Sequence, residues 1–163
     1  MELLEHLALG FGVAFTLQNL AYAFAGCLLG TAIGVLPGLG PTTTIAMLLP
    51  SIYTLDATPA LIMLAGIYYG AQYGGSTTAI LVNIPGEASS VVTAIDGYQM
   101  ARQGRAGPAL ATAALGSFFA GCVGTIVIAG FAPPLTELAF KFGPAESFSL
   151  MVLGLIGAVV LAS

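Results

Sequence analysis

The sequence predicts an all-α, polytopic integral membrane protein, and three observations support this class. Of the 163 residues, 58% are hydrophobic and only 6% are charged, whereas soluble domains carry roughly a quarter charged residues. The mean hydropathy is +1.00. No Asp, Glu, Lys or Arg occurs in 6–55, 57–86 or 106–136. Long uncharged runs between short charged islands are typical of membrane segments and their loops.

The first elements are an interfacial helix and a membrane span. Residues 2–15 are mildly amphipathic and predict a helix at the membrane interface. Residues 17–36 are long enough to cross a hydrocarbon core of ~30 Å at ~1.5 Å per residue. Glycines at every fourth position on this span and on a later segment predict closely packed helices. The two rows are Gly26, Gly30, Gly34 and Gly66, Gly70, Gly74.

Residues 37–50 interrupt the apolar sequence. They begin with PGLGP, continue with three threonines, and end with a short apolar stretch that stops at Pro50. This stretch is too short to span a bilayer. At membrane depth, non-helical backbone is tolerated only where it is buried in protein or lines a wet cavity. The pattern therefore predicts a re-entrant or discontinuous helix.

The rest of the chain reads as four further membrane or interface elements around a polar island. Residues 59–84 predict a span that breaks into two half-helices at 73–76, because two glycines and a serine interrupt it. The later elements are a polar island (87–106), a span (109–132), a short helix (134–142) and a span (147–163). The last span has no flanking loop, so we expect it to be truncated.

The two interruptions have the same layout. GPTTTIAMLLP (40–50) and GGSTTAILVNIP (74–85) each contain glycine, three hydroxyl residues and an apolar stretch that ends at proline. A half-helix N-terminus exposes unpaired N–H groups and a partial positive charge, which suits an anion. Unwound carbonyls near Gly38 and Gly74 could hold Na⁺. The same residue types also suit helix packing, and the sequence favours neither interpretation.

Other polar residues carry alternatives of their own. Asn83 suits a ligand site and a helix–helix hydrogen bond equally well. Glu87 is a loop residue, a gate or an ion ligand. Thr93 and Asp96 fit a helix-capping spacing better than a ligand site. The sequence contains no nucleophile–base pair, metal-ligand spacing or phosphate loop, so we expect a protein that is not an enzyme.

A family resemblance is carried by four motifs of the chain, namely PGLGP, YGGS…IPG…DGY, AGIYYG and FGPAESFSLMVLGL. They resemble the large membrane subunit of the tripartite tricarboxylate transporters, the TctA type. The resemblance covers essentially the whole chain. It places DGY on Asp96, Gly97 and Tyr98.

The resemblance implies a function that composition does not show. Such subunits lie in the bacterial inner membrane as multi-pass proteins and take up citrate-like tricarboxylates or other small carboxylates. A Na⁺ or H⁺ gradient is expected to drive uptake, with no cofactor and no nucleic acid. The expected partners are a small membrane subunit and a periplasmic solute-binding protein. The subunit holds two related halves of opposite topology, and residues 1–163 would be the N-terminal repeat.

The resemblance and the two interruptions together give a predicted substrate site. Its residues are Pro37, Gly38, Gly40, Thr42, Thr43, Thr44, Gly74, Gly75, Ser76, Thr77 and Asn83. The expected mechanism is alternating access. Two other classes remain open: a non-transporting assembly subunit whose glycines serve only packing, and an ion channel whose broken helices form a filter.

Overall fold

A computed structural model describes residues 2–162, and the described residues form seven α-helices and no strand. This confirms the all-α class. The helices are α1 (Glu2–Ala14), α2 (Leu17–Gly34), α3 (Gly40–Ile52), α4 (Ala57–Val82), α5 (Ser90–Arg102), α6 (Ala106–Phe140) and α7 (Pro144–Ala162). Residues up to Ser117 form one compact unit and those from Phe118 a second, so α6 begins in the first and ends in the second.

The first unit is built on a glycine interface between α2 and α4. The backbone of α4 at Ile67 meets Gly30, and the backbone of α2 at Cys27 meets Gly70. Contacts at Gly26 and Gly34 follow the same order along α4, so the two helices run parallel. The predicted close packing of both glycine rows is confirmed. Without side chains at these positions the two backbones can touch, which is how membrane helices commonly associate.

Because α2 and α4 are parallel, the chain has to return between them, and α3 makes this return. It packs on both helices, and its 13 residues cover about 20 Å. The predicted segment 37–50 is thus a loop followed by a helix that passes Pro50 and ends at Ile52. This helix connects opposite ends of the α2–α4 pair, because the two helices are parallel and α3 lies between them in the chain.

The predicted break at 73–76 is wrong, because α4 is continuous from Ala57 to Val82. Its two glycines are places of close approach: Gly74 packs against the α2 backbone and Gly75 against Gly86. The break comes later, at Asn83, whose φ of 59° and ψ of 30° are left-handed. Glycine therefore signals tight packing here and not a helix end.

The polar island and the segment after it also differ from expectation. Most of 87–106 is helical, and Asp96 lies inside α5 instead of capping a helix. The predicted short helix 134–142 is the end of α6, which continues through Pro133 and Pro134 to Phe140. A proline φ near −65° is compatible with helix, so such residues are tolerated in membrane helices when the lost hydrogen bonds are compensated.

Within residues 2–162, two helices are long and apolar enough to cross a membrane, judged by length and composition. They are Leu17–Gly34 and the Ala106–Ala132 part of α6. A third candidate is the pair Pro134–Phe140 and Pro144–Val160, bent by 98°. The predicted span 147–163 falls in this pair, and its last residue, Ser163, lies outside the described residues. Although α4 has 26 residues, its glycines, tyrosines and Gln72 lower its hydropathy, and α2, α3 and α5 pack around it.

Candidate functional site

The N-terminus of α3 is the first part of the candidate site. Two glycines with left-handed backbones precede and open the helix, Gly38 with a φ of 83° and Gly40 with a φ of 51°. Other residue types adopt this conformation only with strain. The N-cap position is Leu39, which makes no side-chain capping hydrogen bond. Pro41 in the first turn has no N–H. The N–H groups of Gly40 and Thr42 have no side-chain partner at the cap, and N–H groups at a helix start suit an anion.

The three threonines behind this turn have different roles. The Thr44 hydroxyl is fully buried and donates to the Gly40 carbonyl at 2.8 Å. Thr42 and Thr43 are exposed, and within residues 2–162 their hydroxyls make no hydrogen bond. A carboxylate ligand needs donors. Thr42 and Thr43 can supply them, whereas Thr44 has already used its hydrogen within the helix.

The second hydroxyl trio lies in the middle of α4 and not at a helix N-terminus. The Thr77 hydroxyl donates to the Tyr73 carbonyl at 2.9 Å, and the Thr78 hydroxyl to the Gly75 carbonyl at 3.0 Å. The Gly74 carbonyl lies inside the helical ladder and has the Thr78 hydroxyl 3.4 Å away. It is therefore engaged in the helix and does not present the unwound oxygen that was predicted as a Na⁺ ligand.

Glu87 is the residue that both glycine motifs share as a neighbour. A Cβ added at Gly75 would lie 3.8 Å from the Glu87 Cγ, and one added at Gly40 would lie 3.9 Å from the Glu87 Cβ. The carboxylate Oε1 accepts a hydrogen bond from the Ser89 hydroxyl at 2.7 Å. The Ser90 hydroxyl donates to the Glu87 carbonyl at 2.8 Å and accepts from its N–H at 3.2 Å.

Sequence reasoning left Glu87 outside the predicted site. The available signal was its place directly after Pro85 and Gly86, where the chain leaves α4. The structure brings Gly40, Gly75 and Glu87 together at this point. Asn83 ends α4 with an exposed side chain, so its observed role is conformational. Pro37 and Gly38 are exposed in the loop before α3.

The contact between Gly75 and Gly86 is asymmetric and gives a testable prediction. A Cβ at Gly86 would lie 2.5 Å from the Gly75 Cα, whereas a Cβ at Gly75 would lie 3.4 Å from the Gly86 Cα. We expect Gly86→Ala to displace the loop that carries Glu87 and to lower the melting temperature of the purified protein. Gly75→Ala should fold nearly as well as the wild type. Equal melting temperatures for the two variants would contradict this packing.

Fold and site together define a helical membrane protein in which a discontinuous helix presents its N-terminus beside a loop carboxylate. The chain belongs to the tripartite tricarboxylate transporter TctA family, whose model matches residues 20–163. This is a family of transporters and not of enzymes, and the resemblance seen in the sequence is confirmed.

A curated relative supports the same assignment. The chain is 65% identical over 162 residues to an Agrobacterium vitis protein described as an uncharacterized 52.8 kDa protein in the TAR-I ttuC′ 3′ region. The match covers 99% of this chain and 32% of the relative, so the chain spans about a third of that protein's length. No solved structure matches the chain.

Proposed function

We propose that the chain is the N-terminal part of the large membrane subunit of an ion-coupled transporter for citrate-like tricarboxylates or other small carboxylates. A periplasmic solute-binding protein would deliver the substrate, and a small membrane subunit would complete the assembly in the bacterial inner membrane. Family membership supports the class of protein. The observation that carries the substrate class is the uncapped N-terminus of α3 with the Thr42 and Thr43 hydroxyls beside it.

This arrangement can bind a carboxylate without a basic side chain. The three Lys and Arg residues of the chain all lie after residue 101. Binding would therefore depend on first-turn N–H groups, the helix dipole and the two hydroxyls. The attraction between these donors and a carboxylate is stronger in a membrane-embedded site than in water, because a medium of lower dielectric constant screens it less.

Glu87 gives a physical reason for ion coupling. Its side chain begins beside Gly40, at the start of α3. A substrate carboxylate bound at the same helix end would be repelled by the Glu87 carboxylate. A cation or proton that enters with the substrate would remove much of this repulsion. Uptake would then need the ion, which is the defining property of a symporter.

The proposed movement is alternating access with the α2–α4 pair as a fixed scaffold. Since α4 is continuous and packed on α2, it belongs to the scaffold and cannot move as a half-helix. The remaining mobile candidate is α3, whose first residue, Gly40, has a left-handed backbone like Gly38 just before it. Hinges of this kind absorb backbone rotation at a few residues.

The test is uptake of labelled citrate by cells that express the complete gene with its two partner subunits, with and without a Na⁺ or H⁺ gradient. We expect saturable uptake that needs one of the gradients. Uptake that rises linearly with citrate and ignores both gradients would favour a channel. If none of a panel of di- and tricarboxylates enters the cells while the three subunits are correctly inserted, the proposal is wrong.

A further inference from the structure

Glu87 lies in a turn whose backbone is held in place by two helices. After α4 ends at Val82 the chain reverses, and Gly86 meets Gly75, seven residues before that end. Seven residues of helix cover about 10 Å, so the chain has turned back along α4 by this distance. A Cβ added at Gly86 would also lie 3.3 Å from the carbonyl oxygen of Gly34, the last residue of α2. Glu87 therefore follows directly on a point of contact with both α2 and α4.

Ser90 holds the same turn from its other side. The Ser90 side chain is 1% exposed. Its hydroxyl donates to the Glu87 carbonyl at 2.8 Å and accepts from the Glu87 N–H at 3.2 Å. Within residues 2–162 this N–H has no other partner, and a backbone donor left unpaired away from water is costly. Loss of the hydroxyl would therefore loosen the turn from which the Glu87 side chain starts.

The Glu87 carboxylate brings a free acceptor to the start of α3. Its Oε1 accepts a hydrogen bond from the Ser89 hydroxyl at 2.7 Å. Among the described residues, no donor is bonded to Oε2 and no basic side chain pairs with the carboxylate. The Glu87 Cβ lies 3.9 Å from the position that a Cβ on Gly40 would take. The helix end that offers donors to a substrate thus has an acceptor next to it.

The negative charge of Glu87 decides which substrate group can lie beside it. Residues 1–101 contain no Lys or Arg. Arg102 lies at the far end of α5, which is about 20 Å long. A second substrate carboxylate would be repelled at this position. A substrate hydroxyl can instead donate a hydrogen bond to the carboxylate, and such charge-assisted bonds are the stronger ones.

We propose that Glu87 is a specificity-determining residue that recognises a substrate hydroxyl, and that Ser90 is the positioning residue that holds Glu87 in place. This inference rests on the proposed function, because it concerns the same carboxylate site. The preferred substrates are hydroxycarboxylates with the hydroxyl next to a carboxylate. The carboxylate binds the donors at the start of α3, and the hydroxyl donates to the Glu87 Oε2. This hydrogen bond offsets part of the repulsion that Glu87 imposes.

The test uses pairs of ligands that differ by one hydroxyl, and it measures binding without transport. The pairs are citrate with tricarballylate and malate with succinate. Complete purified protein is heated with each ligand at constant NaCl concentration and ionic strength, and the rise in melting temperature gives the half-saturating concentration. We expect the wild type to bind the hydroxylated member of each pair about tenfold more tightly, which is the effect of one hydrogen bond to a charged group.

Glu87→Gln keeps the shape of the side chain and removes its charge. We expect tricarballylate and succinate to bind more tightly than they do to the wild type, because the repulsion is gone. The preference for the hydroxylated ligands should fall several-fold, because the bond to a charged acceptor is lost. A general loss of folding would not produce tighter binding of one ligand and a lower preference for the other. Asp56→Asn is the control, since it neutralises an exposed carboxylate at the start of α4, far along that helix from Gly75.

Ser90→Ala leaves the Glu87 carboxylate in place but frees its turn. The preference for the hydroxylated ligands should fall several-fold, and Ser90→Thr, which restores a hydroxyl, should regain it. Ser51→Ala removes an exposed hydroxyl from α3 and should leave the preference unchanged. If Ser90→Ala does not fold, Glu87→Gln decides alone, because it replaces a partly exposed side chain by one of the same shape.

An equal hydroxyl preference in wild type and Glu87→Gln would overturn this inference. So would a wild type that binds both members of each pair equally, or that binds none of the four ligands. The same data separate the inference from the transport proposal. Protein with a Glu87-dependent preference that takes up no carboxylate would retain this role of Glu87 and lose the transport function. Protein that takes up carboxylates without this preference would retain transport and lose the role.

Discussion

Replacing Gly30 by alanine is expected to remove most of the folded protein from the membrane. A Cβ at this position would lie 2.8 Å from the Cα and 2.9 Å from the carbonyl carbon of Ile67, which is fully buried on α4. These are backbone atoms, so no side-chain rotation can relieve the contact. The α2 and α4 backbones would have to separate, and the other glycines of both rows would then lose their contacts with the opposite helix.

The magnitude follows from the cost of overpacking. One extra methyl group in a well-packed interior costs about 1–3 kcal/mol, and more where backbones have to move. Proteins are stable by only ~5–15 kcal/mol, and membrane helices gain little hydrophobic driving force to offset poor contact. We therefore expect a large fall in the monodisperse fraction after detergent extraction and in the melting temperature.

A matched control is available on α1. Gly12 has no atom within 4 Å of an added Cβ, so Gly12→Ala changes the same residue type in a helix without a contact. It should extract and melt like the wild type. A Gly30→Ala variant that behaves like Gly12→Ala would contradict direct contact between the α2 and α4 backbones at this position.

The glycine interface was predictable because it depends on local spacing. Glycine at every fourth position lines one face of a helix whatever its partner is, and the rows on α2 and α4 do this. The all-α class and the spans 17–36 and 109–132 follow in the same way from apolar length. These features need no knowledge of which elements touch.

The second hydroxyl trio shows what the sequence could not provide. Two glycines in a row are equally consistent with a helix break and with a helix that another backbone approaches. The contacts of Gly74 with α2 and of Gly75 with Gly86 decide between them, and neither contact can be predicted from the local sequence pattern. The role of Glu87 was hidden for the same reason, since its neighbours Gly40 and Gly75 come from two different helices.

The substrate site is tested most directly by removing one hydroxyl, in Thr43→Val. Thr43 is exposed near the start of α3, and its hydroxyl has no hydrogen bond within the described residues. Valine has nearly the same shape but cannot donate. A hydrogen bond to a charged group is worth about 1.5–3 kcal/mol, which corresponds to about a 10- to 100-fold change in affinity. We expect the half-saturating carboxylate concentration for uptake to rise by this factor with normal membrane insertion.

Thr44→Val is the matched control, because the two threonines are adjacent and differ in where their hydroxyl hydrogen goes. The Thr44 hydrogen already bonds the Gly40 carbonyl of its own helix, so its removal should leave the half-saturating concentration unchanged. Any loss would be in the amount of folded protein, since Thr44 is buried. If both variants change the substrate affinity equally, or if Thr44→Val has the larger effect, the threonines serve only packing. The carboxylate then does not bind at the N-terminus of α3.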